Sequence, residues 1–344
     1  MAKPAISETP DDKADSPLSR LNELLKADIE RVNAEILQRL ESDIPLIPQL
    51  ARYLIAAGGK RIRPLLTLAA SRLCCATENQ MERAVKLAAA VEFIHTATLL
   101  HDDVVDESTE RRGQTSANLV FGNSSTVLVG DFLFARAFEL MVETESLHVL
   151  KILSGASATI TEGEILQLTY AGSLETNITV YDRIIGAKTA ALFAAATEAP
   201  TVINGRNETE SAHLREYGQA LGMAFQMADD AHDYVAEAAA IGKTIGDDFR
   251  EGKVTLPVIY AMEQADAAER SFWKRCLEDR NQNEEDLAQA QIYIRNHGAI
   301  EKSLGRAHEA ALRAQKALAS LHNADPDISQ LLADLALYAA SRPY

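Results

Sequence analysis

An all-α fold is what this sequence predicts, and three observations carry it. Apolar residues make up 47% of the 344 positions while aromatics make up only 6%, an alanine-rich mixture suited to closely packed helices. Long stretches place their apolar residues at helical spacing, with few Gly (17) and Pro (10) to interrupt them. No alternating run of useful length suggests a strand.

The elements follow in order. Residues 1–16 are polar and carry Asp11, Asp12 and Asp15, which fits neither a signal peptide nor an acid-poor transit peptide. They are expected to form a disordered tail, with one domain over 17–344 and a cytoplasmic location. Ser16-Pro17 is an N-cap followed by Pro at the first helical position. A helix is expected from there to Leu40, with Leu21, Leu24, Leu25, Ile29, Val32 and Ile36 on its apolar side. A second helix precedes the stop at Gly58-Gly59, and Pro64 suits the start of a third, through Leu73. From Gln80 to Asp106 no Gly or Pro intervenes, which predicts one helix roughly 40 Å long. After the loop marked by Gly113 and Gly122, helices are expected over 125–142, 146–170, 179–198 and 208–236. The segment Gly242–Gly252 reads as a loop, Pro257 opens another helix, and shorter helices follow.

Bulk properties remove several classes of function. A formal charge of −16 argues against nucleic acid as a partner. No run of 18 apolar residues predicts a membrane span. Cys74, Cys75 and Cys276 show neither metal-ligand spacing nor an even disulfide set, so they are expected to be reduced thiols.

Two acidic motifs carry the chemistry: Asp102-Asp103-Val104-Val105-Asp106 and Asp229-Asp230-Ala231-His232-Asp233. On a helix, the first and last Asp of each sit at i and i+4, on one face and about 5–6 Å apart at Cβ. Like charges that close repel unless a cation bridges them. Mg2+ fits, because it takes oxygen ligands and is held by one or two carboxylates together with substrate phosphates. An isolated copy would be an ordinary solvated acidic turn; two copies, each preceded by apolar helix, point to two grips on one diphosphate. On the long helix, Val91, His95, Thr98, Asp102 and Asp106 fall within a stripe about 60° wide. His95 read alone is as readily a core histidine as a ligand. Basic residues gather beside the acids in sequence: Lys60, Arg61 and Arg63 on a Gly-rich turn, and Arg111-Arg112 just after the long helix. Arg suits bidentate phosphate recognition. Lys188-Thr189 interrupts an apolar helix, and Lys243 and Lys253 flank the glycine loop.

With those residues in view, the chain resembles the trans-isoprenyl diphosphate synthase family, in its long-chain polyprenyl branch. The motifs are GGKRIRP at 58–64, FIHTATLLHDDVVDESTERRG at 93–113, KTA at 188–190, FQMADDAHD at 225–233 and GKTIGDDFREGKVTLP at 242–257. They stand in the family's order with no departure at a motif position. The resemblance implies the isoprenoid synthase fold, a single helical domain with about ten helices around a central cavity. It implies that Asp102, Asp106 and Asp229 bind Mg2+ on an allylic diphosphate, with Asp103, Asp230 and Asp233 supporting that shell. Lys188, Thr189, Gln226, Lys243 and Arg111 match the allylic side. Lys60, Arg63, His95 and Arg112 match the pocket for isopentenyl diphosphate, and Lys253 is a further diphosphate position. Ala97 and Thr98 match the floor that limits product length, with Ile94 and Val91 deeper. All four are small or aliphatic, so the expected product is a C40–C50 prenyl chain, decaprenyl ahead of octaprenyl, destined for a ubiquinone-type side chain. The family also implies a homodimer. A class I terpene cyclase and a non-catalytic regulatory subunit are the alternatives; the second acidic motif and GGKRIRP argue against the first, and the intact acids against the second.

Overall fold

The computed structural model describes residues 16–56, 59, 61–111, 114–235, 245–322 and 324–341. Residues 1–15 of the expected 1–16 tail and the site positions Lys60, Arg112 and Lys243 therefore lie outside the described residues, whereas Ser16 is described and buried. The elements run α1 (Pro17–Leu24), α2 (Lys26–Arg39), α3 (Leu46–Ala56), α4 (Ile62–Leu73) and α5 (Glu78–Val105). A two-residue hairpin, β1 (Glu110–Arg111) with β2 (Gln114–Thr115), leads to α6 (Ala117–Phe121), α7 (Asn123–Glu143), α8 (Leu147–Thr169) and α9 (Ile178–Ile185). A π-helical turn, Gly186–Ala190, joins α9 to α10 (Ala191–Ile203), and α11 (Glu208–His232) follows. Beyond it come α12 (Asp247–Arg250), α13 (Leu256–Gln264), α14 (Ala267–Trp273), a second π-turn (Lys274–Glu278), α15 (Asp286–Asn296), α16 (Ala299–Ala319) and α17 (Pro326–Ser341).

The described residues group into two compact units. The first is drawn from Met1–Ser157, Ala195–Arg215 and Leu321–Leu332. Its axis is α5, which packs on α7, α4 and α2. Thr77 starts α5 with a capping box, accepting from the Gln80 N–H while the Gln80 side chain accepts from the Thr77 N–H (2.8 Å). Leu87 through Val91, Ile94, Ala97 and Leu100 are sealed from solvent, and the run of alanines lets neighbouring helices approach closely. The second unit is drawn from Ala158–Ala194, Glu216–Ser320 and Ala333–Tyr344. There α13 packs on α16, α15 and α9, over a core of Trp273, Phe249, Leu277 and Ile294.

The expected helix boundaries hold over most of the chain, with informative departures. Ser16 caps α1 as anticipated, its Oγ accepting from the Ser19 N–H (3.1 Å). The helix expected to run to Leu40 bends at Leu25 (φ −102°, ψ 13°), leaving α1 and α2; the bend keeps Leu21 and Leu25 buried along with Val32 and Ile36. The helix expected over 179–198 is broken by the π-turn and continues to Ile203. Part of the expected loop 242–252 is the short α12.

Candidate functional site

The first acidic motif belongs to the first unit. Asp102 and Asp106 are partly exposed one turn apart, and the helical bond between them is kept: the Asp106 N–H donates to the Asp102 carbonyl (2.8 Å). Asp103 points the other way and is completely buried. Glu107, at φ +50°, ends the helix immediately afterwards. His101 seats this end of α5 against α7. Its ring stacks on Phe134 at 6.0 Å, and Nε2 lies 3.1 Å from the Val127 carbonyl and 3.5 Å from the Asp131 carboxylate. A side chain on Gly130 would meet that imidazole at 2.3 Å, which is why the position is open.

The GGKRIRP turn divides its arginines between two tasks. Arg61, in left-handed conformation (φ 46°), pairs with Glu92 of α5 and so ties α4 to α5. Arg63 reaches the other expected residue, His95, with Nη1 3.2 Å from Nε2. Two positions assigned to one pocket on sequence grounds are thus adjacent. Arg111 lies in β1. On α5, Val91 of the stripe and Ile94 and Ala97 to one side of it have no accessible surface, whereas Thr98 is partly exposed. The Thr98 hydroxyl donates to the His95 carbonyl (2.8 Å), turning its methyl group outward from that bond.

The second acidic motif belongs to the second unit and is embedded in a hydrogen-bonded network. Asp229 is partly exposed and Asp230 is 4% exposed. The Tyr181 hydroxyl, from α9, donates to Asp230 Oδ2 (2.7 Å), and Gln226 Nε2 donates to Asp230 Oδ1 (2.7 Å). Thr189, on the π-turn, donates to Gln226 Oε1 (2.8 Å). Lys188, its neighbour on the turn, pairs with Glu164 of α8 (2.8 Å). Asp233 accepts from the backbone N–H groups of Asp248 (3.0 Å) and Asp247 (3.3 Å), which fastens the start of α12 to the end of α11. Lys253 donates its backbone N–H to the Asp248 carbonyl (2.7 Å), and its ammonium pairs with Glu251.

The π-turn packs closely against two glycines. A Cβ on Gly163 of α8 would lie 2.7 Å from the Ala187 Cβ and 2.9 Å from the Lys188 nitrogen. A Cβ on Gly222 of α11 would lie 2.6 Å from the Ala190 Cα. Two glycines therefore admit the extra residue of the turn between α8 and α11, and π-turns are frequent where a helix serves a site.

Electrostatics single out the same region. Burial pushes the Asp230 carboxyl up to about 7, against the opposing hydrogen bonds from Tyr181 and Gln226. Burial likewise raises Asp233, and it raises Asp248 well above the carboxylate range with help from Asp230 and Asp233. Acids held this close in a desolvated place are stabilised by cations. Among the described residues no three His, Cys, Asp or Glu side chains converge to chelate a single ion. A Mg2+ ion here would take one or two carboxylates and complete its shell with diphosphate oxygens and water, its usual mode. The donor set fits that ion.

Sequence reasoning missed four participants: Tyr181, Glu164, Asp247 and Asp248. Asp247-Asp248 stood inside a quoted motif, but without helical period there was nothing to give it a direction. Tyr181 carried a readable signal, since a tyrosine on the apolar side of a helix needs a partner for its hydroxyl.

Comparison with known proteins gives a consistent result. The polyprenyl synthetase family model matches residues 44–294. The crystal structure of a polyprenyl synthase from Caulobacter crescentus CB15, complexed with calcium and isoprenyl diphosphate, superposes with a TM-score of 0.90 at 50% identity, covering 95% of this chain and 98% of that one. That of a decaprenyl diphosphate synthase from Rhodobacter capsulatus has a TM-score of 0.89 at 51% identity, covering 94% and 98%. An octaprenyl diphosphate synthase from Haemophilus influenzae is 40% identical over 327 residues, 95% of this chain and 98% of its own length.

Proposed function

The chain belongs to the polyprenyl synthetase family, and from that premise we propose that it adds isopentenyl diphosphate units repeatedly to an allylic diphosphate, farnesyl or geranylgeranyl. The product is an all-trans C40–C50 polyprenyl diphosphate, decaprenyl ahead of octaprenyl, made in the cytoplasm for a ubiquinone-type side chain. The observation that carries the reading is the second acidic motif joined through Gln226 to Thr189 on a π-turn, on which Lys188 pairs with Glu164. The similarity to a decaprenyl synthase at 51% identity supports the preferred length.

Asp102 and Asp106 on α5 and Asp229 on α11 are assigned to the metal, with Asp103, Asp230 and Asp233 behind them. Bound Mg2+ supplies Lewis-acid charge to the leaving diphosphate. Lys188, Thr189, Gln226, Lys243 and Arg111 bind the allylic diphosphate, and Lys253 adds positive charge nearby. As the allylic C–O bond breaks, the ammonium and guanidinium groups neutralise the charge that develops on the departing diphosphate. Lys60, Arg63, His95 and Arg112 hold isopentenyl diphosphate so that its alkene attacks the allylic cation. The new C–C bond leaves a cation that loses a proton to the released diphosphate, giving the trans double bond. Apolar helix faces keep water from the cation. Thr98, with Ala97 beside it, lies one turn below Asp102 where the growing chain passes, and Ile94 and Val91 lie further along.

A homodimer fits the surface of α7. Leu128 (66% exposed), Ala135, Phe138 and Val142 (63% exposed) recur at helical spacing on its outer face. An apolar strip of this kind, interrupted by the exposed Asp131, suits burial against a second copy. No helix among the described residues is long and apolar enough to cross a membrane.

Purified protein with Mg2+, farnesyl diphosphate and labelled isopentenyl diphosphate tests the reading. Label in a C40–C50 chain is the expected result. Absence of incorporation by folded protein would favour a regulatory subunit that needs a partner, and conversion of the allylic substrate without isopentenyl diphosphate would favour a cyclase.

A further inference from the structure

Asp230 has both oxygens engaged by side chains of its own unit, whereas Asp233 is held by backbone N–H groups. Tyr181 holds Oδ2 and Gln226 holds Oδ1, each at 2.7 Å. The Gln226 amide turns its nitrogen towards Asp230 and its oxygen towards Thr189. The Thr189 hydroxyl then donates to that oxygen at 2.8 Å. The bonds form one continuous chain, Tyr181–Asp230–Gln226–Thr189, starting from a tyrosine that is 3% exposed. This chain runs from α9 through α11 back to the π-turn that follows α9, closing a loop across the turn.

We propose that Tyr181 is a positioning residue: acting through Asp230 and Gln226, its hydroxyl fixes the π-turn that presents Lys188 and Thr189 to the allylic diphosphate. Asp230 in this scheme is an internal anchor, and Asp229 is the member of the pair turned towards substrate. The proposal rests on the prenyltransferase reading above but concerns a residue that the reading does not use. Tyr181 touches neither substrate nor metal in this scheme. Losing this hydrogen bond, with its effect passed to the diphosphate, would weaken binding roughly tenfold to a hundredfold.

The test uses Tyr181→Phe, which keeps the buried ring and removes only the hydroxyl. Binding of inorganic pyrophosphate in the presence of Mg2+ is measured by calorimetry, alongside condensation kinetics with both substrates. Expected are a rise of about tenfold or more in the pyrophosphate Kd and in the allylic KM, with the isopentenyl diphosphate KM unchanged. In a double-mutant cycle with Thr189→Val, the two losses should combine to less than their product, because both substitutions break one relay. Pyrophosphate binding at wild-type strength in Tyr181→Phe, or losses that multiply, would overturn the proposal. If Tyr181→Phe fails to fold, Tyr181→Leu, which also lacks the hydroxyl, must show the same split, and wild-type pyrophosphate binding in it would equally overturn the proposal. An inactive wild type would count against the prenyltransferase reading alone, since pyrophosphate binding still decides the relay.

Discussion

Replacing Gly222 by Ala puts the π-turn to a direct test. The added Cβ would sit 2.6 Å from the Ala190 Cα, 2.9 Å from the Ala190 Cβ and 3.2 Å from the Phe193 Cβ. Carbon atoms pack at about 3.5–4.0 Å, so α11 and the turn must separate by about 1 Å. The obstacle is backbone rather than the end of a flexible side chain, so it cannot simply swing aside. Overpacking of this kind costs about 1–3 kcal/mol. Alanine recovers up to about 1 kcal/mol through its better helix propensity. The net loss of stability then falls anywhere from about 0 to 3 kcal/mol, and thermal unfolding alone is a weak discriminator. Activity is the stronger readout, because Ala190 follows Thr189 directly and a displacement of about 1 Å in a substrate-positioning group can lower the rate about a hundredfold. Gly305→Ala is the control: it lies in α16 with nothing within 4 Å of its added Cβ. There the propensity gain stands alone, raising stability by up to about 1 kcal/mol and leaving kinetics untouched. Isopentenyl diphosphate incorporation and melting temperature are measured for both variants. A Gly222→Ala enzyme with wild-type turnover would refute the view that close approach at this glycine sets the turn.

Three other expectations are independent of that one. Glu143 accepts both Arg39 guanidinium nitrogens (2.6 and 2.7 Å) and the Lys86 ammonium (2.7 Å), and the Arg39 bonds hold its carboxyl down at about 2. A depressed folded-state value contributes stability above the ordinary carboxylate range that is lost as pH falls from about 4.5 to about 2. The carboxylate is about a third exposed, so screening reduces the contribution to about 1 kcal/mol. Glu143→Gln should therefore melt below wild type at pH 7 by a gap that closes on acidification; a gap constant down to pH 2.5 would contradict this origin. Thr98→Phe should shorten the product by several isoprene units, and chromatographic sizing that shows an unchanged chain would remove Thr98 from the tail's path. Asp102→Ala and Asp229→Ala should each abolish turnover with helical circular dichroism nearly unchanged, and full activity in either would break the metal assignment.

What the sequence revealed and what it hid have physical causes. The long helix was legible because α5 is governed by its own residues: no Gly or Pro from Thr77 to Asp106, a cap at the start and a long alanine-rich apolar run. The placement of Asp102 and Asp106 on one face needed only the helical repeat. Arg63 beside His95 was reachable through the family's motif order, not through any local pattern. The π-turn was not legible, because residues 179–198 keep a helical period throughout, and the departure is made possible by Gly163 and Gly222 on other helices. Asp230 illustrates the deeper difficulty. As letters, Asp229 and Asp230 are identical neighbours in a metal motif, and only the fold gives one a buried tyrosine and a glutamine amide while leaving the other partly exposed. A helix turns about 100° per residue, so adjacent identical side chains must face different surroundings. Their division of labour therefore depends on what α9 and the π-turn bring to the inner side, and mutating Asp229 and Asp230 separately should produce different kinetic defects despite their shared chemistry.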